Sequence, residues 1–195
     1  MKTNVIVPLL ALAFSRPVLA QSNVWQLDGA HSSAQFAVRH MGISTVRGAF
    51  TKLSGTARYD AVDPKNDSVE VTIETASVDT RVEMRDNDLR SDHFFDVHKY
   101  PSMTLRSTKI EDAGPGKLKI TGDLTIRGIT KPITLDVEGP SKPFDDGHGR
   151  LHMGVSGSAT LNRTDFGMTG YQGVVGNEVT LTIDAELVQA TAAAK

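Results

Sequence analysis

Six histidines are the first candidates for chemistry in this sequence of 195 residues. His148 and His152 are four positions apart, a spacing that puts two metal ligands on one face of a helix. However, glycines flank His148, and residues 150–161 alternate as a strand does. Strand positions four apart are separated by roughly 13 Å, too far to share one metal ion. His93 and His98 are five apart and would point away from each other on a helix. The sequence therefore predicts no metal site.

Nucleophile motifs and cofactor-binding loops are incomplete in this sequence. Residues 154–158 approach G-x-S-x-G but lack the last glycine, and they lie within a predicted strand rather than at a strand-to-helix turn. Residues 114–116 lack the third glycine of a dinucleotide-binding loop. Asp86 and Asp88 form a carboxylate pair of the kind that is usually solvated. Since there is also no cysteine, we predict no catalytic residue and no cofactor.

The charge balance and the N-terminus bear on where the protein acts. Lys and Arg number 21 against 23 Asp and Glu, and no basic stripe occurs, so nucleic acid is not an expected partner. Lys2 precedes an apolar run over 5–14, and small residues lead up to Ala20. This order of features predicts a signal peptide over residues 1–20 and one periplasmic domain over residues 21–195. The apolar run is too short to span a membrane.

Alternation of apolar and polar residues dominates the rest of the sequence, and its period is that of a strand with one apolar face. Residues 69–74, for example, read Val-Glu-Val-Thr-Ile-Glu. With a weaker pattern across Arg47–Tyr59, the alternation predicts about eight strands in an all-β antiparallel sandwich or closed barrel. The apolar positions expected to point inward are Phe36, Val38, Val71, Ile73, Met103, Leu105, Leu124, Leu135, Met153 and Ile183.

Residues 80–100 break this alternation. Their pattern favours a short helical segment near 82–98, which interrupts the strands. Pro101 ends the segment, because the residue before a proline is pushed out of helical geometry. We expect Phe94 and Phe95 to line or close one end of the barrel.

Periodicity does not distinguish a hollow barrel from a filled one. A closed sheet of eight strands holds either a packed core or one small ligand. Ala34, Gly122, Gly157 and Ala159 are small residues at inward positions. Such residues either leave space for a ligand or accommodate large neighbours, and the pattern alone leaves both interpretations open.

Several stretches in order along the chain resemble the YceI-like family, polyisoprenoid-binding proteins of the bacterial envelope. Each stretch alone is a weak signal, but their order and spacing from about Trp25 to Leu187 are specific. The stretches are Trp25–Asp28 with His31–Ser33, Phe36–Gly42, Val46–Phe50, Leu89–Val97 with Tyr100-Pro101, Gly122–Pro132 and Asn162–Gly167.

The resemblance implies a lipocalin-like antiparallel barrel whose interior holds a long isoprenoid or fatty chain, without catalytic residues. The expected ligand is an isoprenoid, a quinone precursor or a fatty amide, carried or stored in the periplasm. The choice between monomer and homodimer stays open. The alternative function is a lipid-modifying envelope enzyme that uses His93 with Asp96, or Asp86 with Asp88, near the barrel mouth.

Three residues of the helical segment complete the predicted ligand-binding set. Arg85 and Arg90 suit a phosphate or pyrophosphate head group, because the guanidinium group binds such oxygens in a bidentate way. The alternative is that both arginines pair with nearby aspartates and only brace the helix. Leu89 is expected to face the ligand between them.

Overall fold

The computed structural model describes residues 23–60 and 62–190. The predicted signal peptide, residues 1–20, lies outside the described residues. None of the helices within these ranges is long and apolar enough to cross a membrane.

Strands account for most of the described chain, with one α-helix, α1 (Glu83–Arg90), and three short 3₁₀ turns. The strands are β1 (Val24–Leu27), β2 (Ser33–His40), β3 (Ser44–Phe50), β4 (Leu53–Arg58), β5 (Ser68–Glu74), β6 (Val78–Asp79), β7 (Ser102–Asp112), β8 (Lys117–Ile126), β9 (Ile129–Glu138), β10 (Phe144–Asp145), β11 (Leu151–Asn162) and β12 (Val175–Gln189).

The sheet closes on itself through β12, the longest strand. One edge of β12 pairs with β11, and the other pairs first with β2 and then with β1. The circuit β12–β1–β4–β5–β7–β8–β9–β11 is antiparallel throughout. Because β1–β2, β3–β4 and β5–β6 each act as one long bent strand, the result is a closed eight-stranded barrel. The predicted fold class is therefore confirmed.

One predicted strand is divided in the structure. The pattern indicated a continuous strand over Arg47–Tyr59, but β3 ends at Phe50 and β4 begins at Leu53. The backbone N–H groups of Thr51 and Lys52 donate to the carbonyl and hydroxyl oxygens of Ser77 instead of to a neighbouring strand. This bend lets the strand follow the barrel wall. The short strands β1, β6 and β10 were not predicted.

The two ends of the barrel are built differently. The helix end carries α1, the β2–β3 hairpin, the β8–β9 turn and the segment 163–174, and the far end carries the β4–β5, β7–β8 and β9–β11 loops. At the far end, buried Trp25 packs with Ala57, Met153 and Leu187. The helix and the segment 163–174 therefore shape the helix end, while the apolar cluster around Trp25 packs at the far end.

The helix interrupts the strands where the sequence predicted it. The buried Asp86 carboxylate accepts from the backbone N–H and the hydroxyl group of Thr80, which fixes α1 to the end of β6. After Arg90 the chain continues in turns, with Phe95 N–H donating to the Leu89 carbonyl oxygen. The predicted short helix is present, and it ends earlier than the predicted segment near 82–98.

Candidate functional site

The barrel encloses a cavity of about 610 Å³ whose wall is mostly apolar. All of the predicted ligand-binding residues except Arg90 line this cavity. They are Phe36, Val38, Val71, Ile73, Arg85, Leu89, Phe94, Phe95, Met103, Leu105, Leu124, Leu135, Met153 and Ile183.

Arg90 does not line the cavity. Its guanidinium group donates to the Ala76 and Val78 carbonyl oxygens at 2.9 and 2.8 Å and to Asn87 Oδ1 at 3.2 Å. These bonds hold α1 against the segment that contains β6. Arg90 braces the helix, as the alternative interpretation proposed, but through carbonyl and amide oxygens and not through an aspartate.

Arg85 lies at the cavity wall near the helix end. Its Nε donates to Thr80 Oγ1 at 2.8 Å and its Nη2 donates to the Thr80 carbonyl oxygen at 3.0 Å. The Asp86 carboxylate accepts two hydrogen bonds from the same threonine. Asp86 therefore fixes Thr80, and Thr80 in turn fixes the Arg85 guanidinium group. Within the described residues, its Nη1 makes no hydrogen bond. Arg85 can therefore still donate to a group inside the cavity.

Asp88 also lines the cavity, and its carboxylate lies 2.9 Å from His93 Nδ1. This hydrogen bond raises the pKa of His93 above its ordinary value of 6.5. The His93 imidazole is therefore protonated at pH values below its raised pKa, and it becomes neutral as the pH rises through that pKa. The structure pairs His93 with Asp88, whereas the enzyme hypothesis had paired it with Asp96.

Aromatic side chains lie beneath this pair at the helix end. Phe95 is buried and makes an edge contact with Phe50 at a centroid distance of 5.4 Å. Phe94 is buried and stacks on Tyr171 at 6.0 Å. These rings form the apolar wall of the cavity under α1.

Arg163 lies at the helix end of the barrel, and the sequence analysis predicted no role for it. Its side chain is only 3% exposed, and it lines the cavity. Burial lowers the pKa of its guanidinium group, and among the described residues it contacts no carboxylate. The available signal was its position: Arg163 continues the inward parity of Leu161 on β11, where a charged residue is unusual.

Four carbonyl oxygens hold this guanidinium group. Its Nε donates to Gly176 at 2.9 Å, its Nη1 donates to Met168 and Gly170 at 2.7 and 2.8 Å, and its Nη2 donates to Val175 at 3.0 Å. The Phe94 ring centroid lies 5.8 Å from its guanidinium carbon. Arg163 therefore ties the loop after β11 to the start of β12 and places a positive charge beside the cavity.

A separate cluster of polar side chains lies on the outer wall of the barrel. One ligand atom each from Asp28, His31 and Glu186 falls within 4.8 Å of the other two. Glu186 Oε1 also lies 2.7 Å from His152 Nδ1, whose ring turns its Nε2 toward Asp146 Oδ2 at 3.4 Å. Spacing along the sequence did not reveal this arrangement, because neighbouring strands bring the residues together. Within the cluster, the hydrogen bond between His31 Nδ1 and Asp28 Oδ2 at 2.9 Å spans the bend between β1 and β2.

A closed antiparallel barrel with an apolar interior belongs to the class of barrels that can hold one small ligand. Residues 25–187 match the YceI-like domain, and the chain belongs to the YceI-like family. A UPF0312 protein of Vibrio parahaemolyticus is 38% identical over 168 residues, which cover 85% of this chain and 88% of the relative.

Solved structures share the fold. BcnA of Burkholderia cenocepacia superposes with a TM-score of 0.73 at 27% identity, over 85% of this chain and 99% of BcnA. A domain from Saccharophagus degradans, described as polyisoprenoid binding, superposes with a TM-score of 0.61 at 16% identity, over 85% of this chain and 98% of that domain. At that identity the second likeness shows the fold alone.

Proposed function

We propose that this protein binds a long-chain apolar lipid inside the barrel and carries or stores it, chemically unchanged, in the periplasm. The observation that carries the proposal is the distribution of charge along the cavity. Charged lining residues lie at its two ends, Arg58 and Asp67 at the far end and Arg85, Asp88 and Arg163 at the helix end. The wall between them is predominantly apolar, which suits a long hydrocarbon chain better than a polar ligand.

The energetics of the cavity support this ligand class. Burial is worth about 0.8 kcal/mol per CH₂ group, so one five-carbon isoprene unit contributes on the order of 3–4 kcal/mol. The volume of about 610 Å³ falls within the range of about 300–1,000 Å³ that is typical of small-molecule pockets. A few buried units then suffice for tight binding after the cost of association.

The family supports the same ligand class. The structural neighbour from Saccharophagus degradans is described as a polyisoprenoid binding domain, and its barrel has the same architecture. The signal-peptide features of residues 1–20 support export, and an exported protein meets membrane lipids. An isoprenoid is therefore the first ligand to test, with fatty chains as the second.

Lipid extraction from the exported protein tests this proposal. The full chain is expressed in a bacterium with two membranes, purified from the periplasmic fraction and analysed by native and lipid mass spectrometry. We expect a mature chain that begins at or near Gln21 and carries about one unmodified long-chain lipid. Protein without any lipid, which also fails to take up an added isoprenoid, would contradict the carrier function.

The same experiment examines the alternative of a lipid-modifying enzyme. The observation that favours this alternative is Asp88, which lines the cavity while it pairs with His93. An added lipid that changes mass during incubation, and stays unchanged with Asp88→Asn, would identify an enzyme. Asp86 is a weaker candidate for a catalytic residue, because its buried carboxylate already accepts two hydrogen bonds from Thr80.

Arg85 and Arg90 allow a matched test of the head group. We expect Arg85→Ala to weaken binding of geranylgeranyl pyrophosphate by about tenfold or more relative to geranylgeraniol, because Arg85 faces the cavity and can donate to phosphate oxygens. Arg90→Ala is the control, since Arg90 braces α1 and does not line the cavity. Its effect should be equal for both ligands. Binding is measured by displacement of a fluorescent lipid, and equal losses from Arg85→Ala would mean that the protein binds only the apolar tail.

A further inference from the structure

Large apolar side chains that stay exposed are concentrated at the helix end. They are Met41, Ile43, Val82, Met84, Ile129, Tyr171 and Val174. The two others of this kind in the described chain lie at the far end, Val62 in the β4–β5 loop and Phe144 on β10. Exposed apolar groups that cluster on one face mark an interaction surface, whereas single ones do not.

The segments that carry five of these side chains, all except Val82 and Met84, are in contact with one another. The Met41 N–H donates to the Val174 carbonyl oxygen at 2.7 Å, and the Val174 N–H donates to the Tyr171 carbonyl oxygen at 3.1 Å. Ile129 lies against Gly167, at the start of the same loop. We call the surface formed by Met41, Ile43, Ile129, Tyr171 and Val174 the mouth rim.

The hairpin tip of the mouth rim is preformed. Met41 and Gly42 have φ values of 53° and 73°, and the Ile43 N–H donates to the His40 carbonyl oxygen at 3.1 Å, which defines a tight type I′ turn. Arg39 fixes it further by donating to the Gly42 carbonyl oxygen at 2.6 Å. The side chains of Met41 and Ile43 are therefore held in solvent, 60% and 78% exposed.

The rim hairpin and the β8–β9 turn carry only positive charges, whereas the segment 163–174 also contains Asp165. The hairpin region 39–47 carries Arg39 and Arg47 and no acid, and the turn region 127–131 carries Arg127 and Lys131 and no acid. The loop 167–177 has no charged residue. Exposed apolar tips with flanking cations complement a surface that is apolar inside and anionic outside, as a phospholipid layer is.

The mouth rim is also continuous with the cavity. Tyr171 and Val174 are exposed on the rim and line the cavity as well. Met41 and Ile43 do not line it. A lipid that moves along this side of the barrel would pass from the rim to the interior over apolar surface.

We propose that the mouth rim docks on a phospholipid surface. The tips of the rim loops enter the head-group region, the flanking cations meet anionic head groups, and the lipid ligand passes between bilayer and cavity without exposure to water. This proposal rests on the proposed lipid-binding function and identifies its partner. It explains why apolar side chains are exposed at one end of the barrel, where a protein that takes its ligand from solution would not need them.

Vesicle co-sedimentation with matched variants tests the docking surface. The probes are vesicles of phosphatidylethanolamine with phosphatidylglycerol and vesicles of phosphatidylcholine alone. We expect the protein to prefer the anionic vesicles and to dissociate from them as salt is raised. Ile43→Asp should weaken vesicle binding by about tenfold or more, since it replaces an inserted apolar group by a charge. Val62→Asp, the same kind of change at a 92% exposed far-end position, should have no effect.

A ligand-binding assay in solution distinguishes a failure of the docking proposal from a failure of the proposed function. A fluorescent farnesyl analogue measures ligand binding in solution, which Ile43→Asp should leave unchanged because Ile43 lies outside the cavity. If the farnesyl analogue binds and vesicles do not, docking is wrong and the lipid-binding function stands. If neither the farnesyl analogue nor a fluorescent fatty acid binds, the proposed function itself is contradicted.

Sedimentation velocity tests whether the mouth rim binds a second copy of the chain instead of a phospholipid surface. A dimer that Ile43→Asp converts to a monomer, together with absent vesicle binding, would assign the rim to self-association and overturn the proposal. Equal loss of vesicle binding in Ile43→Asp and Val62→Asp would overturn it too, because the attraction would not depend on the rim.

Discussion

Ile183→Trp should abolish lipid binding while the barrel stays folded. Ile183 lies on β12 opposite Gly157 on one side and Ala34 on the other, and all three residues line the cavity. An indole at this position extends over two small neighbours into the space that the ligand would occupy. Loss of one or two isoprene units from the cavity corresponds to binding weaker by roughly a hundredfold or more. Titration with a fluorescent farnesyl analogue measures the effect.

The control substitution is at Thr182, the residue before Ile183 on the same strand. Thr182 is exposed, because successive strand residues face opposite sides of the sheet. Thr182→Trp therefore adds the same indole outside the barrel and should leave binding unchanged. Ile183→Trp protein with normal affinity and a normal unfolding midpoint would mean that the ligand does not use the barrel interior.

Arg163→Met should cause a large loss of stability. The substitution removes four hydrogen bonds from a buried guanidinium group and leaves the Met168, Gly170, Val175 and Gly176 carbonyl oxygens without this donor. A buried polar group that is left without a partner costs about 1–3 kcal/mol, so the loss of this donor to several carbonyl oxygens should lower the free energy of unfolding by about 3 kcal/mol or more. Arg163→Lys should recover only part of this loss, since one ammonium group cannot reproduce the planar set of donors.

Urea unfolding at equilibrium measures this cost as a change in the free energy of unfolding. Arg47→Met is the control, because Arg47 is exposed on β3 and a surface change of this kind is usually worth less than about 0.5 kcal/mol. A loss for Arg163→Met as small as that of the control would show that the four carbonyl contacts do not stabilise the fold. The bound lipid must be removed first, since a ligand that binds only the folded state raises its apparent stability.

The direction of most strand side chains could be predicted from the sequence. A strand places alternate residues on opposite faces, so the parity of Met103 and Leu105, or of Leu124, follows from local stereochemistry alone. The same logic located the break near α1, where alternation stops. The strand pattern also predicted about eight strands in a sandwich or a closed barrel, and the resemblance to the YceI-like family implied the barrel.

The role of the small inward residues depended on contacts between strands. Gly122 was one candidate for leaving room for a ligand, yet a side chain at Gly122 would lie 2.7 Å from the Arg106 carbonyl oxygen, beside the irregular pairing between Ser107 and Lys109. It permits close approach of two strands and does not enlarge the cavity. Ala34 and Gly157 do line the cavity. Gly122, Ala34 and Gly157 are all small residues at predicted inward positions. Only the position of the neighbouring backbone shows which of them border the cavity.

The sequence by itself determined the period of the strands, the place of the helix and the parity of the cavity wall, because these depend on residues close together in the chain. Only the tertiary structure decided that Arg85 faces the cavity while Arg90 braces α1, and that Arg163 binds four carbonyl oxygens. The same holds for His152 and Glu186, which lie on neighbouring strands. These roles depend on which backbone and side-chain atoms lie opposite each group after the barrel closes. Register brings His152 to Glu186 across 34 positions of sequence. The partners of Arg85, Arg90 and Arg163 lie within 14 positions, but they lie in turns and strand ends whose conformation the alternation of apolar and polar residues does not specify.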